Sequence, residues 1–232
     1  MGALIIGGFF ALLGWMVSSR LKSKFKQYSA TPLEKNLTGA EIARLMLADH
    51  NISDVQVICV EGQLTDHYNP ADKTVNLSEG VYHGRNAAAT AVAAHECGHA
   101  VQHATAYSML SLRSAMVPVQ NVSGQILNYM LLAMMFGAFF ARGFLPMGTA
   151  LLIIIACYAV FSLFALITLP VEFDASNRAL VWVRTRNIVN AGEYDMAKDA
   201  LKWAAMTYVV AAIGALTTLA YYVMIYLGGD RR

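Results

Sequence analysis

Residues 91–99 read Ala91-Val92-Ala93-Ala94-His95-Glu96-Cys97-Gly98-His99. This is His-Glu-x-x-His inside an alanine-rich run, and such a run favours helix. On a helix, residues i and i+4 stand one turn apart on one face. His95 and His99 can therefore offer two imidazoles to one metal ion, at zinc–nitrogen distances of about 2.0–2.1 Å. Glu96 lies beside the pair, where a carboxylate can hold water at the metal and take its proton. Two ligands and a general base are most of a hydrolytic zinc site. The bland alternative is a helix whose histidines only pack or meet solvent. A third protein ligand, absent from this stretch, decides between the two. Cys97 falls about 200° round the helix from the histidines and is expected to face away from the metal.

Working outward, Asn86 is the expected N-cap, and the motif helix is expected over Ala87–Ala104. Thr38-Gly39-Ala40-Glu41 fits a capping box, with Ile42, Leu45 and Met46 at helical spacing, so a helix is expected from Gly39 to His50. Val55–Val60, Leu64–Tyr68 and Thr74–Leu77 read as strands, with a turn at Asn69-Pro70 between the last two. Such a sheet can bind substrate at its edge as an added strand, or can simply pack against the helix.

The chain is 57% hydrophobic and 14% charged over 232 residues, against about 45–50% and about 25% in ordinary globular chains. That imbalance points to a multi-pass membrane protein, with the lipid bilayer as its first partner. A net charge of +2 gives no support to nucleic-acid binding. The three cysteines, Cys59, Cys97 and Cys157, have neither metal nor disulfide spacing and fit a reducing compartment. Four apolar runs are expected to cross: Ala3–Val17 extended by Ser18 and Ser19, Ile126–Ala141, Phe144–Leu169 ended by Pro170, and Ala204–Leu227. Basic residues follow the first run instead of preceding it, which is the reverse of a secretory signal. With the N-terminus outside, 14 of the 17 Lys and Arg residues fall on the inner side, as the positive-inside rule requires. The motif helix is then cytoplasmic. Only 8 residues separate Asn86 from His95, and polar sequence lies between the motif and the next span. These features argue against catalysis within the bilayer.

The second and third crossings return the chain to the motif's side at Leu169-Pro170-Val171-Glu172-Phe173-Asp174-Ala175-Ser176. Glu172 and Asp174 are both candidates for the missing ligand. The plain alternative is a solvated helix start, where acids are favoured by the helix dipole.

Here the sequence resembles the neutral zinc metallopeptidases of bacterial membranes, the YugP-like proteins. The resemblance rests on Leu64–Pro70, Val75–Ser78, Ala93–Gln102, Leu169–Ser176 and Ala204–Tyr208, and so extends over nearly the whole chain. It implies a multi-pass zinc peptidase with Zn2+ as cofactor and a zincin-like α+β catalytic domain. The Glu-aromatic-x-Ala element also resembles that of membrane gluzincins. There the glutamate is the third ligand, which carries over to Glu172. Those relatives have an aspartate four residues further on where this chain has Ser176, so Asp174 stands as the substitute support or as the ligand itself. The metzincin pattern is excluded, because it needs glycine and histidine where Gln102 and Thr105 stand. His103 and Arg178 are candidates for support or substrate contact. His67, Tyr68 and His83 are candidate donors to an oxyanion, with His67 placed first by its family-like segment.

The expected architecture is an α-helical multi-pass membrane protein with about four transmembrane helices. Its parts are an anchor (1–19), a cytoplasmic zincin-like domain (20–125), a transmembrane hairpin (126–170), cytoplasmic helices carrying the third ligand (171–203), and a last span with its tail (204–232). The expected location is the cell (inner) membrane. The expected activity is hydrolysis of peptide bonds in membrane or membrane-associated proteins. The rival expectation is a membrane scaffold that binds a partner without cleaving it. Glycines in the spans allow contact with a second copy or another membrane protein.

Overall fold

A computed structural model describes residues 1–135 and 146–229. It is mostly helical with one small sheet. In chain order the elements are α1 (Gly2–Ser29), α2 (Gly39–Asp49), β1 (Gln56–Val60), β2 (His67–Asn69), β3 (Thr74–Ser78), α3 (Glu79–Tyr82), α4 (Ala87–Ala104), α5 (Ser108–Met135), α6 (Met147–Thr185) and α7 (Ala191–Gly229). Among the described residues three helices are long and apolar enough to cross a membrane: Gly2–Ser29, Met147–Thr185 and Ala191–Gly228. The anticipated second span begins within α5, and its residues 136–141 lie outside the described residues, as do 142–145 of the loop that follows.

The chain divides into two compact units. One comprises Met1–Trp15, Leu112–Thr168 and Tyr208–Arg232; the other comprises Met16–Ser111 and Leu169–Thr207. The second unit holds the motif. Its sheet has the order β1-β3-β2, with β1 parallel and β2 antiparallel to the central β3. β2 is therefore a sheet edge. It starts three residues later than the sequence suggested and includes Asn69. Gly62 (φ 104°) and Leu64 (φ 57°) adopt left-handed backbone conformations, which break an extended run before His67.

α4 forms over the anticipated residues. The Asn86 side chain accepts from the Ala89 N–H at 2.9 Å and caps it. Ala87, Ala88, Ala89, Ala93 and Ala94 are fully buried, so the helix is enclosed by neighbours along its first turns, with Ile42, Met46, Val75, Leu77 and Val81 in the same core. α2 has its capping box: Thr38 Oγ1 accepts from the Glu41 N–H at 3.1 Å, and Glu41 Oε2 accepts from the Thr38 N–H at 2.7 Å. The Cys97 thiol donates to the Ala43 carbonyl on α2 at 3.5 Å, so it does face away from the histidines.

One local expectation changes. Pro170 does not end its helix; α6 continues to Thr185. A proline inside a helix withholds one hydrogen bond and crowds the preceding turn. Here tertiary contacts compensate. Val171, Ala175, Ala179 and Val183 are all buried, and this spacing of four seats one face of α6 in the core. At its other end, the chain turns directly into α7 at Asn190-Ala191-Gly192. Asn190 Oδ1 accepts from the Glu193 N–H at 2.9 Å and Glu193 Oε2 accepts from the Asn190 N–H at 2.8 Å, a capping box. The buried Glu193 also accepts from the Glu34 N–H at 2.7 Å, which fixes the start of α7 against the chain after α1.

Candidate metal centre

The continuation of α6 through Pro170 determines what meets α4. Glu172 and Ser176 stand one turn apart on α6, and Asp174 and Arg178 do the same about 200° round the helix. Gly98 gives α4 no side chain where α6 passes. A Cβ built there would lie 2.5 Å from the Ala175 carbonyl oxygen.

At this crossing Glu172 Oε2 lies 3.3 Å from His95 Nε2 and 3.6 Å from His99 Nε2. The imidazole rings meet edge-on, with centroids 4.8 Å apart. Glu172 is 3% exposed. A buried carboxylate against the buried His99 and the partly buried His95 needs a cation or protons to be neutral. Burial alone raises the pKa of the Glu172 carboxyl, but hydrogen bonds to His95 and His99 outweigh it and hold it well below the usual range. Burial disfavours a charged His99, yet the hydrogen bond to Glu172 and the charges of Glu96 and Glu172 raise its pKa.

The donor set fits zinc. Among the described residues these three form the one group of His, Cys, Asp or Glu able to hold a metal ion, with ligand atoms within 4.8 Å of one another. Ligands about 2.0–2.1 Å from a tetrahedral zinc are about 3.3–3.4 Å apart, close to the observed separations. Both rings are also held by their other nitrogen. His95 Nδ1 lies 3.1 Å from Ser176 Oγ. His99 Nδ1 donates to Gln102 Oε1 at 3.0 Å. The Gln102 oxygen can only accept, so it sets a proton on Nδ1 of His99 and leaves its Nε2 as the atom that could hold a metal; the Ser176 hydroxyl can partner either tautomer of His95.

Gln102 is fixed in turn. Its amide donates to the Val171 carbonyl at 2.7 Å and to Asp174 Oδ2 at 2.8 Å. Arg178 Nε donates to the same Asp174 oxygen at 2.5 Å. Asp174 is thus committed to Gln102 and Arg178, and Arg178 and Asp174 touch His99 only through the glutamine. Gln102 itself was missed as a support. Its signal in the sequence was the spacing, three residues after His99 on one helix.

Glu96 is buried, and its Oε2 accepts the backbone N–H of Tyr68 on β2 at 3.1 Å. The sheet edge and the motif helix are joined there. The Tyr68 hydroxyl lies 2.7 Å from His103 Nδ1. His67 is exposed, with Nδ1 on the Thr65 carbonyl at 2.8 Å, and His83 packs edge-on against Tyr82. Neither is brought to the cluster. Burial, and then the charge of Glu96, push the Cys97 thiol above its usual range, which makes it a poor ligand or nucleophile.

Three helices long and apolar enough to cross a bilayer and a His2Glu cluster able to hold a metal ion point to a class, membrane proteins with a zinc-peptidase type of site. The chain belongs to the family described as "Putative neutral zinc metallopeptidase", whose profile matches residues 3–227. It is 40% identical over 218 residues to the "Putative membrane protease YugP" of Bacillus subtilis (strain 168), covering 94% of this chain and 93% of that protein. No solved structure matches.

Proposed function

We propose that the chain is a zinc metalloendopeptidase of the cell (inner) membrane that hydrolyses peptide bonds in membrane or membrane-associated proteins at the cytoplasmic surface. The observation that carries this is the convergence of His95 Nε2, His99 Nε2 and Glu172 Oε2, at zinc-ligand spacing, next to the buried carboxylate of Glu96. His95, His99 and Glu172 would hold Zn2+, and Asp174 with Gln102 and Arg178 would orient His99. This is a gluzincin-like division of labour.

Zinc bound there would lower the pKa of water and polarise a peptide carbonyl. Glu96 takes the proton from the attacking water and delivers it to the leaving amine. The Tyr68 N–H holds the Glu96 carboxylate in place for both transfers. β2, as a sheet edge against Glu96, binds the substrate backbone as an added strand. Tyr68 with His103 supplies the hydrogen-bond donor to the oxyanion.

The reading includes four crossings, with the N-terminus outside and the parts 20–125 and 171–203 inside. Its support is the distribution of Lys and Arg and the three apolar helices. The test is cleavage of an unfolded protein by purified, zinc-loaded material. Parent protein cleaves and Glu96→Gln, with zinc retained, does not. Equal cleavage by both would refute the role of Glu96, and no cleavage by either would favour a binding scaffold.

A further inference from the structure

A second cleft lies on another side of α6 from the stripe formed by Asp174 and Arg178, where α6 faces α7. It has a volume of about 250 Å³ and is lined by Lys198, Lys202, Ser176, Asn177, Phe173 and Met206 among others. Its rim is basic and its wall apolar, and no carboxylate is among its lining residues. Two acids near it, Asp199 and Asp174, have hydrogen-bond partners outside its lining. Asp199 accepts from the Tyr28 hydroxyl at 2.5 Å and pairs with Lys24 at 2.8 Å. Asp174 is held by Arg178 and Gln102. Lys198 and Lys202 are exposed and stand one turn apart on α7. Phe173 is 49% exposed, an expensive position in water for a large ring.

The position along each helix identifies the occupant. Phe173 comes three residues after Pro170, where the apolar run of α6 ends. Met206 stands at the start of the apolar run of α7, four residues after Lys202. On the membrane reading given above, on which this inference rests, the cleft lies where headgroups meet acyl chains. Basic pockets at that depth on the cytoplasmic side suit anionic lipid headgroups. At about 250 Å³ the space is below the usual 300–1,000 Å³ of small-molecule sites. That suits a phosphodiester and the start of its chains.

We propose that this cleft binds the phosphodiester of an anionic phospholipid, with Lys198 and Lys202 on the phosphate and Phe173 and Met206 against its chains. The site also touches the metal centre. Ser176 lines the cleft, and its hydroxyl oxygen is the partner of His95 Nδ1. An anion that accepts the Ser176 O–H makes that oxygen a better acceptor for the His95 N–H. Lipid occupancy therefore positions a zinc ligand, and turnover rises with anionic lipid.

The test uses full-length, detergent-solubilised protein titrated with short-chain phosphatidylglycerol and read by native mass spectrometry. Each lysine at a membrane surface is worth about fivefold in binding, so Lys198→Gln with Lys202→Gln should weaken it about 30-fold. Lys22→Gln with Lys26→Gln, which removes the same charge elsewhere, should leave it unchanged. Inorganic phosphate should not compete. Equal binding by parent and cleft variant, equal loss in the control variant, or displacement by inorganic phosphate would each overturn the proposal. In vesicles of phosphatidylcholine with added phosphatidylglycerol, peptide turnover should rise for the parent and stay flat for the cleft variant; a parallel rise in both would overturn the coupling. The binding arm does not require hydrolysis. Lipid binding without turnover would count against the peptidase reading alone, and turnover without selective lipid binding against this one alone.

Discussion

Gly98→Ala is the most informative single substitution in the helix crossing. Elsewhere in a helix interior, alanine for glycine gains about 0.8–1.0 kcal/mol. Here the new Cβ would meet the Ala175 carbonyl oxygen at 2.5 Å and its carbon and Cα at 3.1 Å. These are backbone atoms, so no rotamer change relieves them. Restoring an ordinary contact of about 3.4 Å requires α6 to retreat by about 0.9 Å, and overpacking of this kind costs about 1–3 kcal/mol. The steric cost therefore outweighs the propensity gain. Glu172 lies one turn before Ala175 and moves with it, whereas zinc ligands tolerate only about 0.2 Å. Zinc affinity should fall at least tenfold, as when supporting contacts of a ligand are lost, and turnover should fall about 100-fold, the scale of a 1 Å misplacement. The assay is zinc retention against a graded chelator, with thermal unfolding of the same samples. A variant that unfolds at higher temperature and keeps parental zinc affinity would refute the close crossing of α4 and α6.

Other substitutions test single contacts. Glu96→Gln should keep zinc and lose about 10²–10⁴ in turnover, measured as kcat on a peptide substrate. Gln102→Leu, which cuts the link from Asp174 and Val171 to His99, should lower zinc affinity about 10–100-fold by chelator competition with the fold intact by circular dichroism. Tyr68→Phe should lower kcat about 10²–10³-fold with little change in KM if its hydroxyl serves the oxyanion; unchanged kcat would assign the hydroxyl to the His103 contact alone. The Glu41 carboxyl is held below its usual range by the Thr38 backbone N–H and then the Thr38 hydroxyl. A depressed acid stabilises above its unfolded value, and that contribution disappears as pH falls through the folded one. Exchange of the first-turn amides of α2 should therefore quicken on acidification in the parent and respond less in Glu41→Gln.

Much of the site was legible where local chemistry and tertiary structure agree. Asn86 marked the start of α4 and the alanine run its first turns, and Thr38 and Glu41 marked the start of α2, because caps act within four residues of sequence. The structure departs from the sequence reading where tertiary packing overrides a local signal. Pro170 reads as a stop, and α6 passes through it because Val171, Ala175, Ala179 and Val183 are buried on one face. This continuation sets Glu172 and Ser176 on one face toward α4, and turns Asp174 to Arg178 and Gln102. The residues alone left both Glu172 and Asp174 open, because two carboxylates two residues apart differ only in which face of a helix they occupy; the family resemblance favoured Glu172, with Asp174 as the alternative. The order of the sheet, which makes β2 an edge beside Glu96, depends on a parallel pairing of β1 and β3 that no local pattern encodes.

The central claim is that His95, His99 and Glu172 hold one zinc ion. The most direct measurement is zinc content by atomic absorption of purified parent, Glu172→Ala and Asp174→Ala after brief chelator treatment. The account predicts about one equivalent of zinc in the parent, little in Glu172→Ala, and a weakened but measurable content in Asp174→Ala. Full zinc in Glu172→Ala with loss in Asp174→Ala would contradict it.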